Sequence, residues 1–239
     1  MAQIFPSGAN TIARVSVFAA AVLPVALVAA ATTVARSPYN TKAGVPLDQP
    51  VPFSHQHHVS ELGIDCRYCH STVEKAAFAG LPSTETCMSC HSQIWTNSPL
   101  LEPVRASWAT GQPIRWVRVN KLPDFVYFDH SIHVNRGIQC NICHGPVQQM
   151  QMTYKGKPFF MAWCLECHRN PAAFAREPSQ EFEIYRKDQR GERLSAEERA
   201  ILDDRPFRRT KEEIDGAHAR LVGQGVKTEQ LADCWVCHR

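Results

Sequence analysis

The chain has no cysteine to spare, no strong excess of either charge, and one long stretch with no charge at all. All ten cysteines fall in a single repeated pattern, so none remains for structural disulfides. Lysine and arginine total 26 against 23 aspartates and glutamates, a formal net charge of +3. So even a balance says little about partners, and nothing in it points to nucleic acid. The 12 glycines and 16 prolines suit a loop-rich backbone rather than long regular elements.

What is present is Cys-x-x-Cys-His, five times. The copies are Cys66, Cys69 and His70; Cys87, Cys90 and His91; Cys140, Cys143 and His144; Cys164, Cys167 and His168; and Cys234, Cys237 and His238. This is the attachment pattern of c-type heme. Two thiols spaced by two residues reach the two vinyl groups, and the next residue falls at the iron as first axial ligand. A zinc ribbon pairs Cys-x-x-Cys units without a histidine after each, and a dithiol enzyme needs one motif, not five. The pattern predicts five covalently bound heme c groups.

Roughly 200 residues follow the uncharged stretch, about 40 per heme, too few for a thick side-chain core. The porphyrins must supply much of the buried apolar mass. The expected fold is a multiheme cytochrome c: mainly short α-helices and loops around five hemes, plus one N-terminal transmembrane helix.

That helix is the uncharged run, residues 15–35, flanked by Arg14 and Arg36. About 20 apolar residues span a bilayer core. Pro24 lies inside it, which membrane helices tolerate. The rival is a cleaved signal peptide with Ala29-Ala30-Ala31 at its cleavage site. The run exceeds a signal core of about 7–15 residues, which favours a retained anchor in the lipid bilayer. Flanking charge says little about orientation, with Arg14 on one side and Arg36 and Lys42 on the other.

The chain also repeats itself. Phe53-Ser54-His55-Gln56-His57-His58-Val59 matches Phe128-Asp129-His130-Ser131-Ile132-His133-Val134. Gly63-Ile64-Asp65-Cys66 follows the first and Gly137-Ile138-Gln139-Cys140 the second. Each leads on to a second motif, at Cys87 and Cys164, so two diheme units share one plan. Six histidines lie outside the motifs: His55, His57, His58, His130, His133 and His218. Four hold equivalent places in the repeat, with rings one helical turn apart. His55, His58, His130 and His133 are therefore expected as distal iron ligands. His57 is expected to face solvent or to support the ligands.

Thr210-Lys211-Glu212-Glu213 has the form of a capping box, opening a helix toward Gly223 with Ile214, His218, Leu221 and Val222 on one face. His218 is the nearest candidate for the fifth distal position. Met161, three residues before Cys164, or Met150 or Met152, is the alternative there. Ser195-Ala196-Glu197-Glu198 opens another capped helix. The interval 176–215 is dense in both charges, fitting a solvated surface or an arm that docks a neighbouring subunit. Residues 121–128 look extended, with aromatics placed to pack on porphyrin.

Phe-x-His-x-x-His before Cys-x-x-Cys-His resembles the cytochrome c3/c7 class. The longer signature runs from Leu122 through Val134 and again over Trp163-Cys164-Leu165-Glu166-Cys167-His168-Arg169-Asn170-Pro171. With the anchor and five motifs, the chain is similar to the pentaheme cytochrome c subunit of bacterial alternative complex III, a quinol:electron acceptor oxidoreductase. That likeness covers most of residues 50–175. It implies heme attachment outside the cytoplasm: residues 1–14 cytoplasmic, 15–35 a single-pass anchor in the inner (cell) membrane, and the rest on the periplasmic or exterior side. The layout would be a linker over 36–52, diheme units over 53–119 and 120–175, and a charged helical tail with the fifth heme over 176–239. Implied partners are an iron–sulfur subunit, polytopic quinol-binding membrane subunits and a monoheme cytochrome c subunit. The electron acceptor would be a soluble cytochrome c or blue-copper protein. Asn120 departs from the pattern, standing where many relatives would carry histidine.

The role so implied is electron relay with no substrate chemistry on this chain. The alternative is a membrane-anchored multiheme quinol dehydrogenase feeding a periplasmic reductase. A catalytic multiheme reductase would often carry a lysine variant of the motif, which is absent. A reaction-centre donor would typically use four hemes with methionine ligands.

Overall fold

The computed structural model describes residues 4–178, 180–203 and 209–238, apart from the Glu181 side chain. Two units separate along the chain, 1–43 and 44–239.

The first unit is dominated by helix α1, Ala9–Arg36, followed by the single turn α2, Pro38–Thr41. At 28 residues α1 is about 42 Å long, more than the roughly 30 Å of a hydrocarbon core. It contains the uncharged run and extends it toward the N-terminus by six residues. None of its residues is buried, and it is the one described helix long and apolar enough to cross a membrane. Its hydroxyls are satisfied internally: Ser16 donates to the Ile12 carbonyl at 2.7 Å, Thr32 to Val28 at 2.9 Å and Thr33 to Ala29 at 2.8 Å. Pro24 stays inside the helix.

The second unit is a succession of short helices: α3 Cys66–Cys69, α4 Thr84–His91, α5 Glu102–Thr110, α6 His130–Asn135, α7 Cys140–His144, α8 Met161–Arg169, α9 Gln180–Gln189, α10 Ala196–Leu202, α11 Lys211–Gly223 and α12 Cys234–Cys237. Among the described residues there is no strand, only an isolated antiparallel bridge between Pro46 and Tyr154. Side-chain cores are thin. One cluster joins Ile184, Tyr185, Ile201 and Leu202; another joins Val51, Leu101 and Val104. Ile184 is the one large side chain fully buried among the described residues.

The repeat is visible in three dimensions. Phe53 stacks on His58 at 4.3 Å and meets His55 edge-on at 5.0 Å. Phe128 stacks on His133 at 4.5 Å and meets His130 edge-on at 4.8 Å. Both turns close on a glycine at positive φ, Gly63 at 75° and Gly137 at 78°. Gly137 cannot carry a side chain, because a Cβ there would lie 1.7 Å from the Arg176 carbonyl oxygen. The first copy has one residue more between its valine and its glycine. That residue is absorbed as a π-helical turn, Gln56–Glu61, where the second copy is α-helical.

The charged interval packs onto the chain's own repeats. Gln189 donates to the Val59 carbonyl at 2.6 Å, Arg186 lies 3.6 Å from Asp65, and the Arg67 guanidinium sits 3.9 Å over the Phe182 ring. From the second repeat, buried Asn141 donates to the carbonyls of Ile201 at 3.1 Å and Leu202 at 3.3 Å and accepts from the Tyr185 hydroxyl at 2.8 Å. Gln148 also donates to Leu202, at 2.6 Å. These amides satisfy the last carbonyls of α10. Helices α9 and α10 thus clamp both repeats, and the apolar faces of this charge-dense segment are buried, not solvated. Both capping boxes form, at Ser195/Glu198 and Thr210/Glu213.

Candidate heme-binding sites

Each motif lies on or at the end of a helical turn, so cysteines three apart and the histidine after them share one face. The His70 amide bonds the Cys66 carbonyl at 2.9 Å, and the His238 amide bonds Cys234 at 2.9 Å. None of the ten cysteines is in a disulfide. The sites are numbered one to five in chain order.

Opposite the motif histidines stand those of the repeat. The His58 and His91 ring centres are 6.3 Å apart, His130 and His144 are 6.3 Å apart, and His133 and His168 are 6.1 Å apart. Two metal–nitrogen bonds of about 2 Å, plus about 1.1 Å from each nitrogen to its ring centre, give about 6 Å. The pairs are therefore spaced to share one iron between them. His55 holds in the first repeat the place that His130 holds in the second, which matches it to site one and His70. In the second repeat the first histidine faces the first motif and the second faces the second, and in the first repeat His58 likewise faces the second motif.

The Nδ1 atoms agree. His58 bonds the Ser54 carbonyl at 2.9 Å, His70 that of Gly80 at 2.8 Å and His91 that of Ile94 at 3.3 Å. His130 bonds Ala77 at 2.7 Å, His133 bonds Asp129 at 2.7 Å, and His168 bonds Leu231 at 2.7 Å. His238 bonds Phe125 at 3.1 Å. A carbonyl only accepts, so each of these rings carries its proton on Nδ1 and presents the Nε2 lone pair. Burial pushes His55 down to about 4, with the neighbouring imidazoles of His70, His58 and His144 adding to it. Burial, then His130 and His70, also push His144 down to about 4. His58 and His133 are lowered too, chiefly by burial. Neutral imidazoles with a free Nε2 are the form that binds iron, and the residues present fit heme c.

The fifth site differs. Its His238 is exposed and stacks against Phe125 at 5.9 Å. His218 is also exposed, and its side chain makes no hydrogen bond or ring contact among the described residues. Helix α11 buries Ala217 and Leu221 instead, against the turn Pro171–Ala173, and leaves Val222 outward. That narrower face follows from the i, i+4 line through Ala217 and Leu221, which places His218 beside it. Met150 is buried, Met161 is exposed and Met152 lies between. His57 is half exposed and bonds Glu61 at 2.8 Å.

Residue 120 was legible only as a departure, yet its side chain touches the site-three histidine, Nδ2 lying 3.1 Å from His144 Nδ1. Thr153, with no sequence signal at all, holds His55 Nδ1 through Oγ1 at 3.1 Å.

Residues 126–239 match the model for cytochrome c7 and related cytochrome c, and residues 30–100 match the class III cytochrome c family. The multiheme cytochrome c subunit of a menaquinone reductase from Nitratidesulfovibrio vulgaris is 33% identical over 144 residues, covering 52% of this chain and 69% of that protein. The chain belongs to the multiheme cytochromes c. Covalent heme c is therefore its cofactor, and the helical, strand-poor second unit is the fold of this cytochrome class. In this cytochrome the two family matches divide the chain near the start of the second repeat.

Proposed function

We propose that this is a pentaheme, membrane-anchored electron carrier. It relays electrons from quinol oxidation to an acceptor outside the cytoplasm, as a subunit of a quinol:electron acceptor oxidoreductase of the alternative complex III type. The observation that carries this reading is the facing of repeat histidines with motif histidines at iron-bridging distance. Bound heme supplies a one-electron iron couple. At sites two, three and four the chain's facing histidines would hold iron from two sides and keep other ligands away.

The order of the sites follows from contacts. Sites two and one adjoin through the Tyr68 and Ser89 hydroxyls at 2.8 Å. Sites one and three adjoin where His130 Nδ1 bonds the Ala77 carbonyl at 2.7 Å, in the stretch that follows His70. His130 and His133, one turn apart, join sites three and four. His168 Nδ1 reaches the Leu231 carbonyl at 2.7 Å, joining four to five. The path is two, one, three, four, five. Diheme units over 53–119 and 120–175 and a tail with the fifth site are its architecture. His70, His91, His144, His168 and His238 are the proximal ligands, and His55, His58, His130 and His133 the distal ones. His218 is the distal ligand proposed for the fifth site.

Helix α1 anchors the chain in the inner membrane with the heme unit on the periplasmic or exterior side. The partners are an iron–sulfur subunit, polytopic quinol-binding subunits and a monoheme cytochrome, with a soluble cytochrome c or blue-copper acceptor. The menaquinone reductase relative supports a second reading, in which the same sites carry electrons toward the quinone pool within a different complex. Purifying the native assembly, identifying its other chains and counting hemes by pyridine hemochrome tests the proposal. Fewer than five hemes, or no quinone-reactive membrane subunit, refutes it.

A further inference from the structure

Among nine histidines placed at the five sites, seven give Nδ1 to a main-chain carbonyl, and two meet a side chain: His55 with Thr153 and His144 with Asn120. Both fall where the two repeats meet. Thr153 belongs to the second repeat and serves a first-repeat ligand. Asn120 opens a segment that also supplies the Phe125 carbonyl to His238 and the Tyr127 amide to the Cys237 carbonyl at 2.8 Å.

As placed, the Asn120 Nδ2 faces His144 Nδ1 at 3.1 Å, while its Oδ1 is buried without a hydrogen bond. An imidazole that offers Nε2 to a metal keeps its proton on Nδ1, so two donors would face each other. Turning the amide by half a revolution puts Oδ1 on that proton and removes the orphaned acceptor. We infer that Asn120, through Oδ1, and Thr153, through Oγ1, are positioning residues that set the electron-donating strength of the axial histidines at sites three and one. The inference rests on the heme reading above. An acceptor on Nδ1–H makes the imidazole a stronger donor, which favours ferric iron and lowers the midpoint potential. Main-chain carbonyls do this at the other positions and cannot be changed by substitution. At the junction of the repeats, side chains do it, so sequence can tune the step between them.

The test is redox titration of the full-length, heme-loaded protein in detergent, followed optically and by electron paramagnetic resonance, for Asn120→Leu, Asn120→Asp and Thr153→Val. Asn120→Leu should raise one midpoint and Asn120→Asp, a stronger acceptor, should lower that same midpoint, with heme count unchanged. Thr153→Val should raise a different one. Opposite signs at one position cannot come from mere loosening of the structure. Unchanged midpoints, shifts of one sign for both Asn120 variants, or a Thr153 effect on the same heme overturn the inference. If Asn120→Leu loses a heme, Asn120→Asp alone decides, and a midpoint that does not fall overturns it. A parent protein with fewer than five hemes sinks the proposed function instead.

Discussion

At the scale of single residues, the decisive atoms are the two nitrogens of each imidazole. In seven of the nine placed rings one is spent on a carbonyl, and the other is thereby fixed as a lone pair free for iron. This makes His58, His130 and His133 interchangeable in chemistry but not in place. His130→Ala should convert one heme, that of site three, from low to high spin while the thioether bonds keep all five attached. Electron paramagnetic resonance and intact mass read the two separately, and an unaltered low-spin spectrum rules the ligand role out. His58→Ala should do the same at site two, with a different low-spin signal lost. The motifs and the four repeat histidines were legible because their spacing is local. Six of the nine Nδ1 partners were not. Gly80 lies 10 residues from His70, Leu231 lies 63 from His168 and Phe125 lies 113 from His238. A carbonyl carries no side-chain signature, so only the folded backbone reveals which one is close.

Elements show how the chain compensates for its thin cores. Helices α9 and α10 bury Phe182, Ile184, Tyr185, Ile201 and Leu202 under a charged exterior. The sequence showed the charge and the caps but not the clamp, because its amide partners sit in the repeats. Asn141→Ala would take the donor from the Ile201 carbonyl while Gln148 still serves Leu202, costing about 2 kcal/mol, measured as a lowered denaturation midpoint. Asp65 works from the other side. It accepts from the Arg67 amide at the start of α3 and pairs with Arg67 and Arg186. The hydrogen bond from the Arg67 side chain holds its carboxyl below the ordinary 3.8, against the opposing pull of desolvation. Its stabilisation is therefore complete above that ordinary value and fades as pH falls through the lower folded one. Asp65→Ala should cost about 1 kcal/mol near neutrality and progressively less as pH drops below 3.8, seen in denaturation curves at several pH values. An equal loss at all pH values would rule out a role for the charge.

For the whole molecule, the proposed anchor and the heme-bearing unit are expected to be separable. Export of the chain without residues 1–36 should give a water-soluble protein that still binds five hemes. If that product remains on protein-free lipid vesicles, α1 is not the sole anchor. What sequence alone determined was chemistry and count: cysteine and histidine at spacings that a single helical turn brings onto one face, and a repeat whose phenylalanines and histidines recur in register. Those follow from local geometry. Tertiary structure decided which histidine faces which, where the fifth site stands apart, and that Asn120 and Thr153 touch axial rings across the junction. Such choices depend on approach between segments far apart in the chain, which no local spacing encodes.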